Sequence, residues 1–104
     1  MKLYVAGPMT GIPEKNFPAF AIATSRLRRK GYEVVSPAEL DVDLPEGTWE
    51  ACLKRDIARL IHCDGIAVLS GWERSRGANL EVHIGAQLGL NIKSVKYYLE
   101  RRAK

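Results

Sequence analysis

Apolar and polar positions follow two rhythms along this chain, and the switches between them mark out its elements. Lys2 to Ala6 is a short apolar run that stops at Gly7-Pro8, which predicts a first strand entering a turn. From Asn16, placed to cap a helix, Phe17, Phe20, Thr24 and Leu27 recur at helical spacing as inward residues. Arg26, Arg28, Arg29 and Lys30 gather in its final turns, where positive charge suits the helix dipole. Gly31 supplies the stop, and Tyr32 to Ser36 reads as a second strand. The acidic, Pro- and Gly-containing stretch from Glu39 to Gly47 is predicted to be a loop. Thr48 then caps a second helix, whose apolar stripe runs through Trp49, Cys52, Leu53, Leu60 and Ile61 and ends near Cys63. Asp64 to Leu69 is a continuous apolar run of the kind buried on both faces of a parallel sheet. A loop over Ser70 to Arg76 leads to a third helix, roughly Gly77 to Leu88, with Gly89 as its stop. Asn91 to Val95 is a fourth strand, and the rest is a short helix or a frayed tail.

This βαβαβαβ pattern predicts an α/β fold: an open parallel sheet of about four strands flanked by helices, Rossmann-like or flavodoxin-like, with strand order 2-1-3-4. With 104 residues there is room for one core, so residues 1–95 are expected to form one domain and residues 96–104 a basic C-terminal tail. The formal net charge of +4 invites a nucleic-acid partner, but its location argues against one. Lys93, Lys96, Arg101, Arg102 and Lys104 against Glu100 carry the whole excess, which leaves 11 basic and 11 acidic residues elsewhere. No apolar run approaches the roughly 20 residues needed to span a bilayer. The start lacks the apolar stretch and cleavage site of a signal peptide, so the expected location is cytoplasmic. Cys52 and Cys63 stand too far apart on one predicted helix for a disulfide, and no spacing of His or Cys suggests a metal site.

In open parallel sheets ligands bind beyond the carboxyl ends of the strands, where the strand order reverses. Here that points to the loops Gly7-Pro8-Met9-Thr10-Gly11 and Ser70 to Gly77, although neither is a dinucleotide fingerprint or a P-loop. Asp56 falls on the apolar face of the second predicted helix, among Trp49, Cys52, Leu53 and Leu60. It is either ion-paired with Arg59 or at the stripe's edge, or else a functional carboxylate some way up the sheet, towards the binding edge. Glu81 lies in the first turns of the third helix on a small-residue face with Ala78, Val82 and Gly85, where it is expected as an exposed carboxylate of the same cleft. Two carboxylates and a Gly/Ser-rich rim on one pocket suggest acid/base or nucleophilic chemistry at a glycosidic carbon. Trp72 is placed either to stack a base or to anchor its loop.

Tyr4-Val5-Ala6-Gly7-Pro8, then Asp56, Cys63-Asp64, the apolar strand and Ser75-Arg76-Gly77-Ala78-Asn79-Leu80-Glu81 occur in an order that resembles the nucleoside 2-deoxyribosyltransferase family over about residues 3 to 90. The chain is especially similar to small phage and bacterial members of uncharacterised activity, and more distantly to the deoxynucleoside 5'-monophosphate N-glycosidases. The resemblance implies that Glu81 attacks the anomeric carbon, forming a glycosyl-enzyme ester that water or a second base resolves. It implies that Asp56 orients or protonates the substrate, that Tyr4 contacts the nucleophile, that Ser75 binds a 5'-phosphate and that Gly77 leaves room for the sugar. Gly7, Pro8, Met9, Thr10 and Gly11 complete the expected substrate-binding set. The chain departs from the phosphate-binding hydrolases at Pro8 and Thr10, where those carry serine and arginine. The implied partners are a small-molecule nucleoside or nucleotide and a homodimer or larger assembly, with no cofactor. The competing reading is a nucleotide-binding protein without turnover that sequesters its ligand.

Overall fold

The structure, a computed structural model, describes residues 1–101. Four parallel strands, β1 (Lys2–Ala6), β2 (Glu33–Val35), β3 (Gly65–Val68) and β4 (Asn91–Ser94), form one sheet in the order β2-β1-β3-β4. This is the α/β architecture and strand order that the alternation of elements predicts. Parallel neighbours require crossovers, and the crossovers are α1 (Phe17–Arg29) after β1, α2 (Pro37–Asp43) with α3 (Trp49–Leu60) after β2, and α4 (Arg76–Gln87) after β3. A last helix, α5 (Val95–Glu100), follows β4 directly.

Side chains alternate across a strand, so β1 serves two cores. Leu3 and Val5 pack with Phe20 and Leu27 of α1, Ala67 of β3 and Tyr98 of α5. Tyr4 and Ala6 point the other way, to Leu60 of α3, Cys63, Ile66 of β3 and Ala78 of α4. On that second face α4 lies close to the sheet because Gly85 has no side chain: a Cβ there would stand 2.5 Å from Ile66 Cδ1.

Several local expectations change. The Glu39–Gly47 stretch is not all loop, since its first part belongs to α2, with Ser36 as N-cap and Pro37 at the helix start, where its missing N–H costs nothing. Two arginines pin α2 from either side: Arg28 of α1 forks onto Glu39, and Arg55 of α3 reaches Asp41. Asn16 does precede α1, but its side chain makes no cap. It takes a left-handed φ of 62° after Glu14 and Lys15 at 55° and 54°, and its Nδ2 donates to the Pro8 carbonyl at 2.9 Å. Ile61, expected on the inward stripe, is 47% exposed because α3 ends at Leu60. The expected basic segment opens as α5, whose Tyr98 is fully buried and hydrogen-bonded to the Asn91 carbonyl; Arg102 and Lys104 lie outside the described residues. Among the described residues no helix is long and apolar enough to cross a membrane.

Candidate functional site

A cleft of about 890 Å³ opens beyond the carboxyl ends of β1 and β3, at the point where the strand order reverses. One wall is the loop after β1, with Gly7, Pro8, Met9, Thr10 and Gly11; Gly7 sits so close to Leu69 that a Cβ would come within 2.8 Å of that side chain. The opposite wall is the entry to α4, with Ser75, Arg76 and Gly77, where the Ser75 hydroxyl accepts the Ala78 N–H at 3.2 Å and caps the helix. The floor and back carry Asp56 from α3 and Glu81 from α4. All of these sequence-predicted residues therefore meet at one cleft. Tyr4 lies beneath it in β1, its phenol donating to Glu81 Oε2 at 2.7 Å.

Glu81 is buried, 5% exposed, in contrast to the exposed carboxylate expected from the sequence. The close seating of α4 on the sheet presses it against the Tyr4 ring. Burial raises its pKa to about 8; the Tyr4 hydrogen bond works the other way, and the Asp56 charge adds to the rise. Asp56 is 7% exposed, and burial raises its pKa as well, to about 6, against the pull of Arg55 and with a further push from Asp41. Its ion-pair partner is the adjacent Arg55 at 2.9 Å, where the sequence offered Arg59 one turn on. Arg59 is exposed. Tyr4 is driven well above the usual phenol range by burial and by the carboxylates beside it, so it stays a hydrogen-bond donor.

Trp72 lies outside this cleft. It packs against the Tyr4–Ile66 core and borders a shallower hollow near Ser94, so it anchors its loop and does not face the carboxylates. The tryptophan that lines the cleft is Trp49, assigned from the sequence to the inward stripe. Arg76 lies over its ring, Cζ 4.0 Å from the centroid, so the pair joins the entries of α3 and α4 across the mouth. Trp49 at the first position after the Thr48 cap was the available signal: there a stripe residue stands at the binding edge, not in the middle of the core. Lys15 and Arg74 also line the mouth. Tyr97 and Tyr98 are not at the cleft; Tyr98 is part of the α1 core. The described residues hold no cluster of His, Cys, Asp and Glu fit for a metal ion.

A family profile described as a domain of unknown function (DUF4406) matches residues 1–94. Among solved structures, the chain is similar to the 2-deoxyribosyltransferase of the psychrotolerant bacterium Bacillus psychrosaccharolyticus, described as a biocatalyst for nucleoside synthesis. The TM-score is 0.69 at 25% identity, over 88% of this chain and 69% of that one. No curated protein sequence matches the chain.

Proposed function

The chain belongs to the DUF4406 family, and from that premise we propose that it breaks the N-glycosidic bond of a nucleoside or nucleotide, with Glu81 as the nucleophile. The likeness to a 2-deoxyribosyltransferase supports glycosyl transfer on nucleosides in general. The observation that carries the finer reading is the buried set at the switch-point cleft: Glu81 held by the Tyr4 phenol at 2.7 Å, with Asp56 electrostatically coupled to it.

An oxocarbenium-like transition state is stabilised by an adjacent carboxylate, and the departing base must take up a proton. In this reading a Glu81 oxygen attacks the anomeric carbon, and the bond electrons leave with the base nitrogen, which is protonated from Asp56. The resulting glycosyl ester is resolved when water or a second base attacks the same carbon. Its proton passes to Asp56, and the sugar–Glu81 bond breaks to restore the carboxylate. Tyr4 donates to Glu81 throughout, steadying the ionised form. The homo-oligomeric expectation belongs to the same proposal.

The pair titrates with apparent values of about 6 and about 8, so between them it holds one proton. That proton rests on Glu81 in the free protein, and at pH 7 only about a tenth of the molecules have Glu81 ionised. Reaction requires Glu81 ionised and Asp56 protonated, the minor arrangement of that proton, about a hundredfold less populated than its reverse. The expected kcat/KM is therefore bell-shaped, falling below about pH 6, where both are protonated, and above about pH 8, where neither is. The test is base release, followed by chromatography, from a panel of deoxynucleosides, ribonucleosides and their 5'-monophosphates at pH 5 to 9. The raised pKa of Glu81 also favours a second reading, a nucleotide-binding protein without turnover. Tight binding of one member of the panel with no base released at any pH selects that reading.

A further inference from the structure

Arg55 plays no part in the expectations drawn from the sequence, yet its side chain is only 7% exposed and every arm of its fork is engaged. Nε donates to Asp56 Oδ1 at 2.9 Å, and Nη2 lies 2.9 Å from the same oxygen. On its other side the guanidinium grips α2: Nη2 donates to Asp41 Oδ1 at 2.5 Å, and Nη1 to the carbonyls of Leu44 at 2.9 Å and Leu40 at 3.3 Å. A planar fork committed to acceptors on two elements has one available orientation. Both of its contacts with Asp56 fall on Oδ1. Oδ2 receives no hydrogen bond among the described residues, and Asp56 is a lining residue of the cleft.

We propose that Arg55 is the positioning residue of this site, fixing the Asp56 carboxylate by one oxygen so that the other is presented to the substrate, with α2 as the brace that holds the guanidinium. The proposal rests on the glycosidic reading for what Asp56 then does, but the placement of the carboxylate stands on the contacts alone. Asp41 completes the device: it shares the guanidinium Nη2 with Asp56 and so holds Arg55 against α2. The short helix α2, whose Pro37 and Asp41 line the cleft, becomes a working part through this one side chain. A purely structural ion-pair cluster would tie α2 to α3 equally well and would lower the Asp56 titration too, but its loss would leave the maximal rate per folded molecule unchanged.

The groups that face Asp56 are Arg55 and the Cys52 thiol on its own helix, Asp41 from α2, Glu81 from α4 and, through Glu81, Tyr4 from β1. Of these only Arg55 is a cation. Two measurements on the full chain separate the cases: the acid limb of the pH profile of base release, and the titration of the Asp56 carboxyl followed by carbon NMR. In Arg55→Met the Asp56 titration and the acid limb should both move up by about one pH unit or more, as the loss of an opposite charge at contact distance requires. The maximal rate of base release should fall at least about tenfold from the lost orientation, against the gain in protonated Asp56 that the titration shift alone would bring. Arg55→Lys, which keeps the charge but loses the fork, should move both by less and recover part of the activity. If Arg55→Met does not fold, Arg55→Lys decides: a raised Asp56 titration together with a lowered maximal rate per folded molecule supports the proposal. An Asp56 titration at its wild-type position, or a maximal rate at the wild-type level, in a folded variant overturns it, whatever the stability loss. If the wild-type chain releases no base from any substrate, the glycosidic reading fails, and an Asp56 titration at its wild-type position in a folded variant still overturns the placement.

Discussion

On one face of the sheet Leu3 and Val5 meet Phe20, Leu27 and Tyr98, all fully buried; on the other, one residue along the same strand, Tyr4 meets Glu81 and, through it, Asp56. On the first face the polar groups are the Tyr98 and Tyr32 phenols, both hydrogen-bonded to carbonyls, and the Thr24 hydroxyl, buried without a hydrogen-bond partner among the described residues. The second collects Tyr4, Glu81, Asp56 and Cys63, all displaced by burial from their ordinary ionisation, together with the Arg55 fork that holds Asp56. Apolar burial stabilises the fold in proportion to area, whereas a desolvated carboxylate lowers stability whenever it is ionised. The contrast teaches that β1 supports both roles by alternation alone: Leu3 and Val5 pack against α1, while Tyr4, between them, reaches the carboxylate on the other face. Replacing a residue on one face should therefore move stability, and on the other activity.

The largest effect is expected at Glu81. Glu81→Gln should lower base release by about 10³-fold or more, since an amide supplies no nucleophile. Stability should move in the opposite direction. The folded pKa of about 8 lies above the ordinary 4.5, so the folded state keeps a proton that the unfolded chain gives up, and wild-type stability falls as pH rises through that window. The amide does not ionise, and thermal melts at pH 5 and pH 8 should show Glu81→Gln gaining on the wild type at the higher pH. A gap that stays constant with pH would place the Glu81 proton elsewhere.

Next is Phe20, the opposite case. Phe20→Ala should cost about 3–5 kcal/mol in chemical denaturation while leaving base release per folded molecule within a few-fold. A large loss of kcat in the folded fraction would break the division between the faces. Tyr4→Phe sharpens it, since the ring stays in the core and only the 2.7 Å hydrogen bond goes. Because that bond favours ionised Glu81, its loss should raise the Glu81 pKa, move the alkaline limb of the pH profile upward and slow the reaction at pH 7, by about tenfold. The smallest change is Thr24→Val, which removes the unpartnered hydroxyl at constant shape and should stabilise by about 0.5–1.5 kcal/mol, read as a shift in denaturation midpoint with activity unchanged.

The elements most legible in the sequence are those whose pattern is local. The strand at Gly65–Val68 and the spacing of Phe20, Thr24 and Leu27 state their burial directly, and the strand order follows from the crossovers that parallel neighbours need. The short helix α2 was missed because acidic residues and a proline weigh towards a loop. Yet Ser36-Pro37-Ala38-Glu39 is a helix-start pattern, and what stabilises so short a helix is two arginines from other elements. The Asp56 partner was misassigned for a related reason. Spacing along α3 favoured Arg59, but the acceptors on α2 draw in Arg55 instead, and those contacts span up to 15 residues of chain. The two tryptophans exchanged places because the sequence tells which loop a residue occupies but not which way the loop turns. Trp72 turns into the core, and Trp49, at the mouth-facing end of its helix, remains beside Arg76.

The seating of α4 bears on any attempt to engineer this domain. A glycine inside a helix is ordinarily the first candidate for thermostabilisation, because alanine there gains about 1 kcal/mol in helix propensity. At Gly85 the added methyl would drive into Ile66, itself fully buried and without room to retreat, and α4 would have to rise from the sheet. Glu81, one turn earlier on the same helix, would rise with it and part from the Tyr4 phenol. The height of the Glu81 carboxylate above the strand is thus set by the absence of a single methyl group, and a choice made on helix propensity alone would discard it.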